Sequence, residues 1–379
     1  MKRTLHPSWF IAAVAAGMAG TTVAAGTAIA PEVVTNRAPM ELMSAWTDAD
    51  FATARPITPT VNYLPPTVFD LNAAAAEAVS GSPTINVAGS KGGADAAHLY
   101  ESRAVSQAGF EGSTGLAMAD PEPYAVGTGN LHFTSTRTFP NASDTTYPTR
   151  TVGKLYFRDP VTNSNYVCSG SMIKKGVVLT SGHCIHNGSG RFYTDFVFRP
   201  GLRAGVYPYG TWTNWVQART TSAWVTGRGN VPNTGDWATI VFGPDARGNR
   251  IGNYTGWLGY QGPICSGRHQ TTLGYPVNLD SGLQMHRSDS QSTSYGSLNN
   301  CTWGTDMTGG SSGGPVVLNL QQPYTNSNPV PSENNGNRVV ATVSWGYTNT
   351  AVRVQGGSIV DSVFGALIGN TCTSNPTAC

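Results

Sequence analysis

The stretch Val177-Val178-Leu179-Thr180-Ser181-Gly182-His183-Cys184 opens on four strand-forming residues and closes on a small-residue turn that carries a histidine with a cysteine beside it. Consecutive apolar and β-branched residues suit a strand covered on both faces, and Ser181-Gly182 ends it. Runs of the same texture recur at 152–157, 196–198, 238–242, 315–320 and 339–344, with turn pairs such as Asn187-Gly188 and Gly252-Asn253 between them. No amphipathic helix pattern appears before the stretch near 361–368. The 379 residues include 45 Gly and 24 Pro, which supply many turns. With 9 Trp, 15 Tyr and 12 Phe the chain has the aromatic content of a packed core. The expectation is an all-β fold built as sandwiches or barrels.

Two further stretches belong with the first. Gly235-Asp236-Trp237-Ala238-Thr239-Ile240-Val241 sets an aspartate at the mouth of an apolar strand. Gly309-Gly310-Ser311-Ser312-Gly313-Gly314-Pro315 sets a serine in a glycine-rich turn that leads into a strand. Taken singly, each has an ordinary structural reading: a turn-capping acid, a polar loop, a histidine after a strand. Their order points to chemistry, with 53 residues from His183 to Asp236 and 76 from Asp236 to Ser312. A serine hydroxyl needs an adjacent base to take its proton, and histidine suits that role near neutral pH. A buried aspartate holds the imidazole in the right tautomer. Glycines let backbone N–H groups turn toward a developing oxyanion, and Gly310 and Ser312 are the expected donors.

The order also excludes rivals. Gly310-Ser311-Ser312-Gly313-Gly314 matches a G-x-S-x-G elbow, but that arrangement needs a histidine after the serine, and the last histidine is His286. An order that begins with aspartate lacks a supported candidate before His183. Six cysteines, an even number, suit three disulfides and leave no cysteine nucleophile. His183 and His186 are near each other in sequence, but no third ligand accompanies them, so no metal is expected. No phosphate-binding glycine loop, no repeat and no basic run appear, so neither a cofactor nor a nucleic acid is implied.

At these residues the chain resembles the chymotrypsin-fold, trypsin-like serine endopeptidases, nearest in its motifs to the glutamyl endopeptidase branch. Thr180-Ser181-Gly182-His183-Cys184 is similar to the family's histidine motif and 309–315 to its serine motif. The stretch 147–157, the turns Pro200-Gly201 and Tyr207-Pro208-Tyr209-Gly210, and Gly274-Tyr275-Pro276 resemble that branch as well. The resemblance covers about 130–370. It implies two antiparallel Greek-key β-barrels, the first at about 150–255 and the second at about 256–370. The cleft between them would hold a catalytic triad of His183, Asp236 and Ser312 acting through an acyl-enzyme. It also implies that Cys168 pairs with Cys184. Proximity pairs Cys265 with Cys301 and Cys372 with Cys379. Competing readings are an inactive homologue that binds a partner, and a serine esterase.

Two positions depart from the family. Ser311 stands where an aspartate would meet a newly formed N-terminus. Val343-Ser344-Trp345-Gly346 stands where the glutamyl branch has a histidine, so Ser344, Trp345 and Gly346 are the expected substrate-binding edge. Asp306, six residues before Ser312, matches an acid that selects Arg or Lys at the pocket floor. Against this, Glu333 is the only glutamate among residues 131–379, which would spare a glutamate-cleaving enzyme from itself. Both specificities stay open.

The remaining chain frames this domain. Lys2 and Arg3 precede an apolar run closed by Val23-Ala24-Ala25, a secretory leader at 1–25. Export implies an oxidising compartment, an extracellular location and no membrane once the leader is gone. Residues 26–128 carry no cysteine and no strong period, include the alanine run 73–76, and are expected to be a pro-segment ahead of a peptidase domain at 129–379. Residues 31–130 hold 4 basic and 11 acidic residues against 17 and 10 in 131–379, formal charges of −7 and +7 that favour docking. Arg137 and 121–124 are candidate sites of removal. The expected partners are protein or peptide substrates, and the expected state is a monomer.

Overall fold

The computed structural model describes residues 32–35, 46–62, 84–102, 125–138, 143–296, 299–320 and 336–379. The leader at 1–25, the alanine run at 73–76, the stretch 121–124 and Glu333 lie outside the described residues.

The fold is all-β, and one strand pattern occurs twice. Val152–Arg158, Asn165–Lys174 and Val177–Thr180 form successive antiparallel hairpins, and Thr194–Pro200 returns to lie beside the first of them. That is the Greek-key order. Ala238–Phe242 pairs with Val177–Thr180, and Trp215–Thr220 pairs with Ala238–Phe242. A bridge between Phe198 and Trp212 draws the two ends together. The curled sheet closes on a core that includes Phe157, Phe196, Phe198, Trp215 and Phe242. In the second barrel His269–Gly274, His286–Tyr295 and Asn300–Gly304 are the hairpins, and Pro315–Leu318 returns beside His269–Gly274. Arg338–Thr342, Val354–Ser358 and Trp345–Tyr347 extend it, and an Ala341–Ile359 bridge joins the ends.

The helix expected near 361–368 is Ser362–Ser374, capped by Asp361, whose carboxylate accepts from Phe364 N–H at 3.0 Å. Its Phe364 ring packs edge-on against Trp237 at 4.8 Å and Tyr260 at 5.1 Å, so one helix ties both barrels together. Among the described residues no helix is long and apolar enough to cross a membrane. Disulfides join Cys168 to Cys184, Cys265 to Cys301 and Cys372 to Cys379.

The chain before residue 150 is woven into both barrels rather than set beside them. Leu131–Arg137 precedes the first barrel in sequence yet pairs with His286–Tyr295 of the second, and Ala125–Gly127 pairs with it in turn. Alternating burial along Leu131–Arg137 fits a strand with one face on the core. Further upstream, Glu32–Thr35 pairs with Trp215–Thr220, Arg55–Pro56 with Asn165–Lys174, Thr60–Val61 with Trp345–Tyr347, and Ile85–Val87 with Gly259–Gly262. Each satisfies backbone groups at a sheet edge that would otherwise present unpaired N–H and C=O.

One buried charge gives the fold a pH signature. Lys154 Nζ donates to Gly282 O at 2.8 Å and faces the Tyr156 ring. Burial, with a smaller push from the Arg199 charge, lowers its pKa from 10.5 to about 8. A base with a lowered folded pKa costs stability while it is charged, and the cost disappears as pH rises from about 8 toward the unfolded value. Tryptophan-monitored unfolding should give a midpoint that climbs through that window. Lys154→Met should flatten the climb and add about 2 kcal/mol of stability at neutral pH. A variant that keeps the parent's slope would mean that Lys154 is not the group responsible.

Candidate active site

Register brings the first two stretches together. In the pairing of Val177–Thr180 with Ala238–Phe242, Thr180 lies opposite Ala238, so His183 and Asp236 leave the sheet at the same end. His183 sits in the short turn Gly182–Cys184, which the Cys168 bond fastens to the neighbouring strand. Gly182 permits the approach, because a Cβ there would lie 2.9 Å from Asp236 Oδ1. His183 Nδ1 is 2.8 Å from Asp236 Oδ2, and the His183 backbone N–H donates to Oδ1 at 2.8 Å. The Ser344 hydroxyl donates to Oδ2 at 2.5 Å. Asp236 is fully buried. Burial of a carboxylate demands such compensation. With a carboxylate on its Nδ1 side, the imidazole carries its proton there and leaves Nε2 as the basic nitrogen.

The serine turn arrives from the second barrel and is pinned to the first by Ser169. The Ser169 N–H donates to Ser312 O at 2.7 Å, and its hydroxyl donates to Gly310 O at 2.8 Å. Two positions of the turn require glycine. Gly310 has φ +97°, and a Cβ there would lie 2.6 Å from Tyr275 O. Gly313 has φ +77°, and a Cβ there would lie 2.0 Å from Thr180 Oγ1. Ser311 is buried, donates to Thr308 O at 2.7 Å and accepts from Gln355 Nε2 at 3.0 Å. It is part of the turn's internal network.

Ser312 Oγ is 2.9 Å from Thr58 Oγ1. His183 Nε2 is buried and has no hydrogen-bond partner among the described residues. The serine hydroxyl is therefore engaged by the N-terminal segment. Nothing in the texture of Ile57-Thr58-Pro59-Thr60 signals this, because the contact spans 254 positions of chain.

The expected edge residues divide into two roles. The Ser344 side chain serves Asp236, and the Trp345 ring is buried with Nε1 on Asn300 Oδ1 at 3.0 Å. The backbone of this strand faces the cleft, where Gly346 N–H donates to Pro59 O at 3.2 Å, and Tyr347 lines the cavity beside it. Asp306 lines a cavity of about 160 Å³ together with Gly346, Arg353 and Gln355, and with Thr58 and Thr60 of the N-terminal segment. Arg353 and Gln355 were not legible as pocket residues, since they follow Asp306 by half a hundred positions in a featureless run. Cys168, His183 and Cys184 bring potential metal donors within 4.8 Å of one another, but the two sulfurs are bonded to each other and cannot act as thiolates. His186 Nδ1 accepts from Gly188 N–H at 3.0 Å, a structural use of that ring.

Two Greek-key barrels with this junction between them define the trypsin-like, chymotrypsin-fold protease architecture. The chain is 32% identical over 152 residues to the glutamyl endopeptidase of Bacillus licheniformis, covering 39% of this chain and 44% of that protein. It is 26% identical over 189 residues to a protein of Bacillus subtilis named extracellular metalloprotease, covering 47% of this chain and 54% of that protein. The chain thus spans about half the length of the curated relatives it matches. Among solved structures, the protease Anisep from Arthrobacter nicotinovorans matches 60% of this chain and 98% of its own, at 25% identity and a TM-score of 0.50. No protein-family model matches the chain.

The Asp236 geometry yields a stability prediction. Ser344→Ala removes one of the donors to a buried charge, which should cost about 2 kcal/mol in urea unfolding. An unchanged midpoint would show that the hydroxyl does not carry this bond.

Proposed function

We infer that the chain is a secreted serine endopeptidase whose catalytic triad is His183, Asp236 and Ser312. The observation that carries the reading is the buried pair of His183 Nδ1 and Asp236 Oδ2 at 2.8 Å, set against a serine-bearing turn at the junction of two barrels. In the reaction Ser312 Oγ attacks the substrate carbonyl carbon while His183 Nε2 takes the hydroxyl proton. Backbone N–H groups of Gly310 and Ser312 receive the oxyanion, one such donor being worth about 3 kcal/mol of barrier. His183 then gives its proton to the leaving amine, and the C–N bond breaks to leave the acyl-enzyme. Water, deprotonated in turn by His183, hydrolyses that ester and restores Ser312. Asp236 holds the ring in place throughout.

Residues 1–25 act in this reading as a leader and 26–128 as a segment removed after export. Its support is the segment's position across the serine. The pocket beside Asp306 reads the substrate residue before the scissile bond. Asp306 favours Arg or Lys there, and Arg353 on the same cavity tempers that preference. The extended substrate adds along Trp345–Tyr347 through backbone bonds.

Three outcomes test the reading. Ser312→Ala and His183→Ala should each lower kcat about a million-fold while the unfolding midpoint stays near the parent's, and near-normal peptide hydrolysis by either purified variant would sink the assignment. Asp236→Asn should cost about ten-thousand-fold, because the wrong imidazole tautomer then faces the serine. Asp306→Ser should move a peptide-library cleavage profile away from Arg and Lys; an unchanged profile would leave Asp306 a loop residue.

A further inference from the structure

Residues 46–62 cross from the first barrel to the second in one continuous track over the candidate catalytic centre. The track begins on a polar and aromatic surface of the first barrel. Trp46 and Phe51 stack at 5.0 Å, and both meet the Tyr156 ring, at 5.8 and 4.9 Å. The Arg199 guanidinium lies 3.6 Å from the Phe51 ring centre and 4.1 Å from that of Tyr207, sandwiched between the two. The Arg158 guanidinium lies over the Trp46 ring at 5.2 Å and pairs with Asp50 at 3.2 Å. Asn165 Nδ2 donates to the same carboxylate at 2.9 Å, and Trp46 Nε1 donates to Asp195 O at 2.8 Å. The helix Asp48–Thr53 holds these groups at one spacing through the reciprocal bonds of Thr47 and Asp50.

Beyond this anchor the chain is extended. Arg55–Pro56 pairs with Tyr166 and Val167, and Ile57 packs against the first-barrel core. Pro56 lies over Gly309, where an added Cβ would come within 2.8 Å of it. Thr58 meets Ser312 Oγ, and Pro59 O and Val61 O then accept from Gly346 and Thr348 N–H at 3.2 and 3.1 Å. The strand runs parallel to Trp345–Tyr347, Thr60 opposite Gly346 and Val61 opposite Tyr347. What meets the serine is thus a side-chain hydroxyl, which holds no acyl group and leaves His183 Nε2 without the serine bond.

We propose that Tyr156, Arg158, Asn165, Arg199 and Tyr207 form a peptide-binding site beside the catalytic cleft, specific for an aromatic pair flanking an aspartate, and that its occupation by Trp46, Asp50 and Phe51 of this chain is what keeps Thr58 on Ser312 and the nucleophile shut. The chemistry of the site favours that ligand class. Two guanidiniums present flat cationic faces to aromatic rings, a contact worth more when desolvated, and one of them keeps an edge for a carboxylate. The extended stretch after Thr53 adds smaller apolar contacts, Pro56 over Gly309 and Ile57 on the first-barrel core, while the aromatic pair supplies the concentrated binding energy and the tether supplies the reach. The statement about the nucleophile rests on Ser312 having that role; the statement about the peptide site does not.

The decisive measurement needs no catalysis. A fluorescent peptide of residues 46–61 is titrated by anisotropy into the full chain carrying Ser312→Ala, and into the same chain with Trp46→Ala and Phe51→Ala added. The emptied chain should bind the peptide at least about ten-fold more tightly than the chain whose own segment fills the site. The same peptide with alanine at positions 46 and 51 should lose about ten-fold in affinity for the emptied chain. Equal affinity of both chains, or of both peptides, overturns the site. Should the double variant fail to fold, Asp50→Ala replaces it and should shift affinity in the same direction; no shift overturns the proposal equally. In chains with Ser312 present and residues 46–61 retained by intact mass, a fluorophosphonate should label Trp46→Ala/Phe51→Ala about ten-fold faster than the parent. Equal labelling rates overturn the shut-nucleophile half. Labelling of neither chain, with peptide binding as expected, overturns Ser312 as nucleophile instead.

Discussion

The Asp236 carboxylate is the constraint around which the two barrels are arranged. It is fully buried, and a buried charge is tolerated only when its partners are fixed in place. Two of those partners come from His183 in the first barrel and the third is the Ser344 hydroxyl of the second. The Asp236 backbone N–H also reaches across, to Ser358 Oγ at 3.2 Å, while Ser358 donates in turn to Asn233 O at 2.6 Å. Rotating one barrel against the other would strip donors from a charge that water cannot reach. The orientation of the imidazole and the orientation of the barrels are therefore one problem with one solution.

The serine turn obeys the same constraint through packing. Gly310 and Gly313 are places where the turn lies against Tyr275 and Thr180 with no space for a side chain. Ser169 fixes the turn from the opposing barrel through its N–H and its hydroxyl. A turn held from two sides in this way presents a small hydroxyl at a defined place, which is the preorganisation that acyl transfer requires.

The N-terminal residues follow from the edges this arrangement leaves. Barrels closed only by short bridges keep exposed backbone at their rims, and segments from 32 to 102 occupy those rims on both domains. The opposite formal charges of the two parts, −7 for 31–130 and +7 for 131–379, act in the same direction. Specific contacts, such as Asp50 with Arg158 and the Phe51 ring on Arg199, then choose one alignment among many that net charge alone would allow.

Local pattern by itself determined the all-β class, the strands at 177–180 and 238–242, the helix after Asp361 and the three chemistry-bearing stretches, because burial on a pleated strand and glycine turns leave marks within a few residues. The resemblance of 180–184 and 309–315 to known peptidase motifs added the barrel pair. Only tertiary structure decided that Leu131–Arg137 joins the second barrel, that Ser344 serves the aspartate, that Arg353 shares the Asp306 cavity and that Thr58 sits on Ser312. Each of those depends on which edge or surface was still unpaired once the barrels had closed. That is a property of long-range packing: Arg353 lies 47 positions from Asp306, Ser344 108 from Asp236 and Thr58 254 from Ser312, and such separations impose no period on the sequence near either residue.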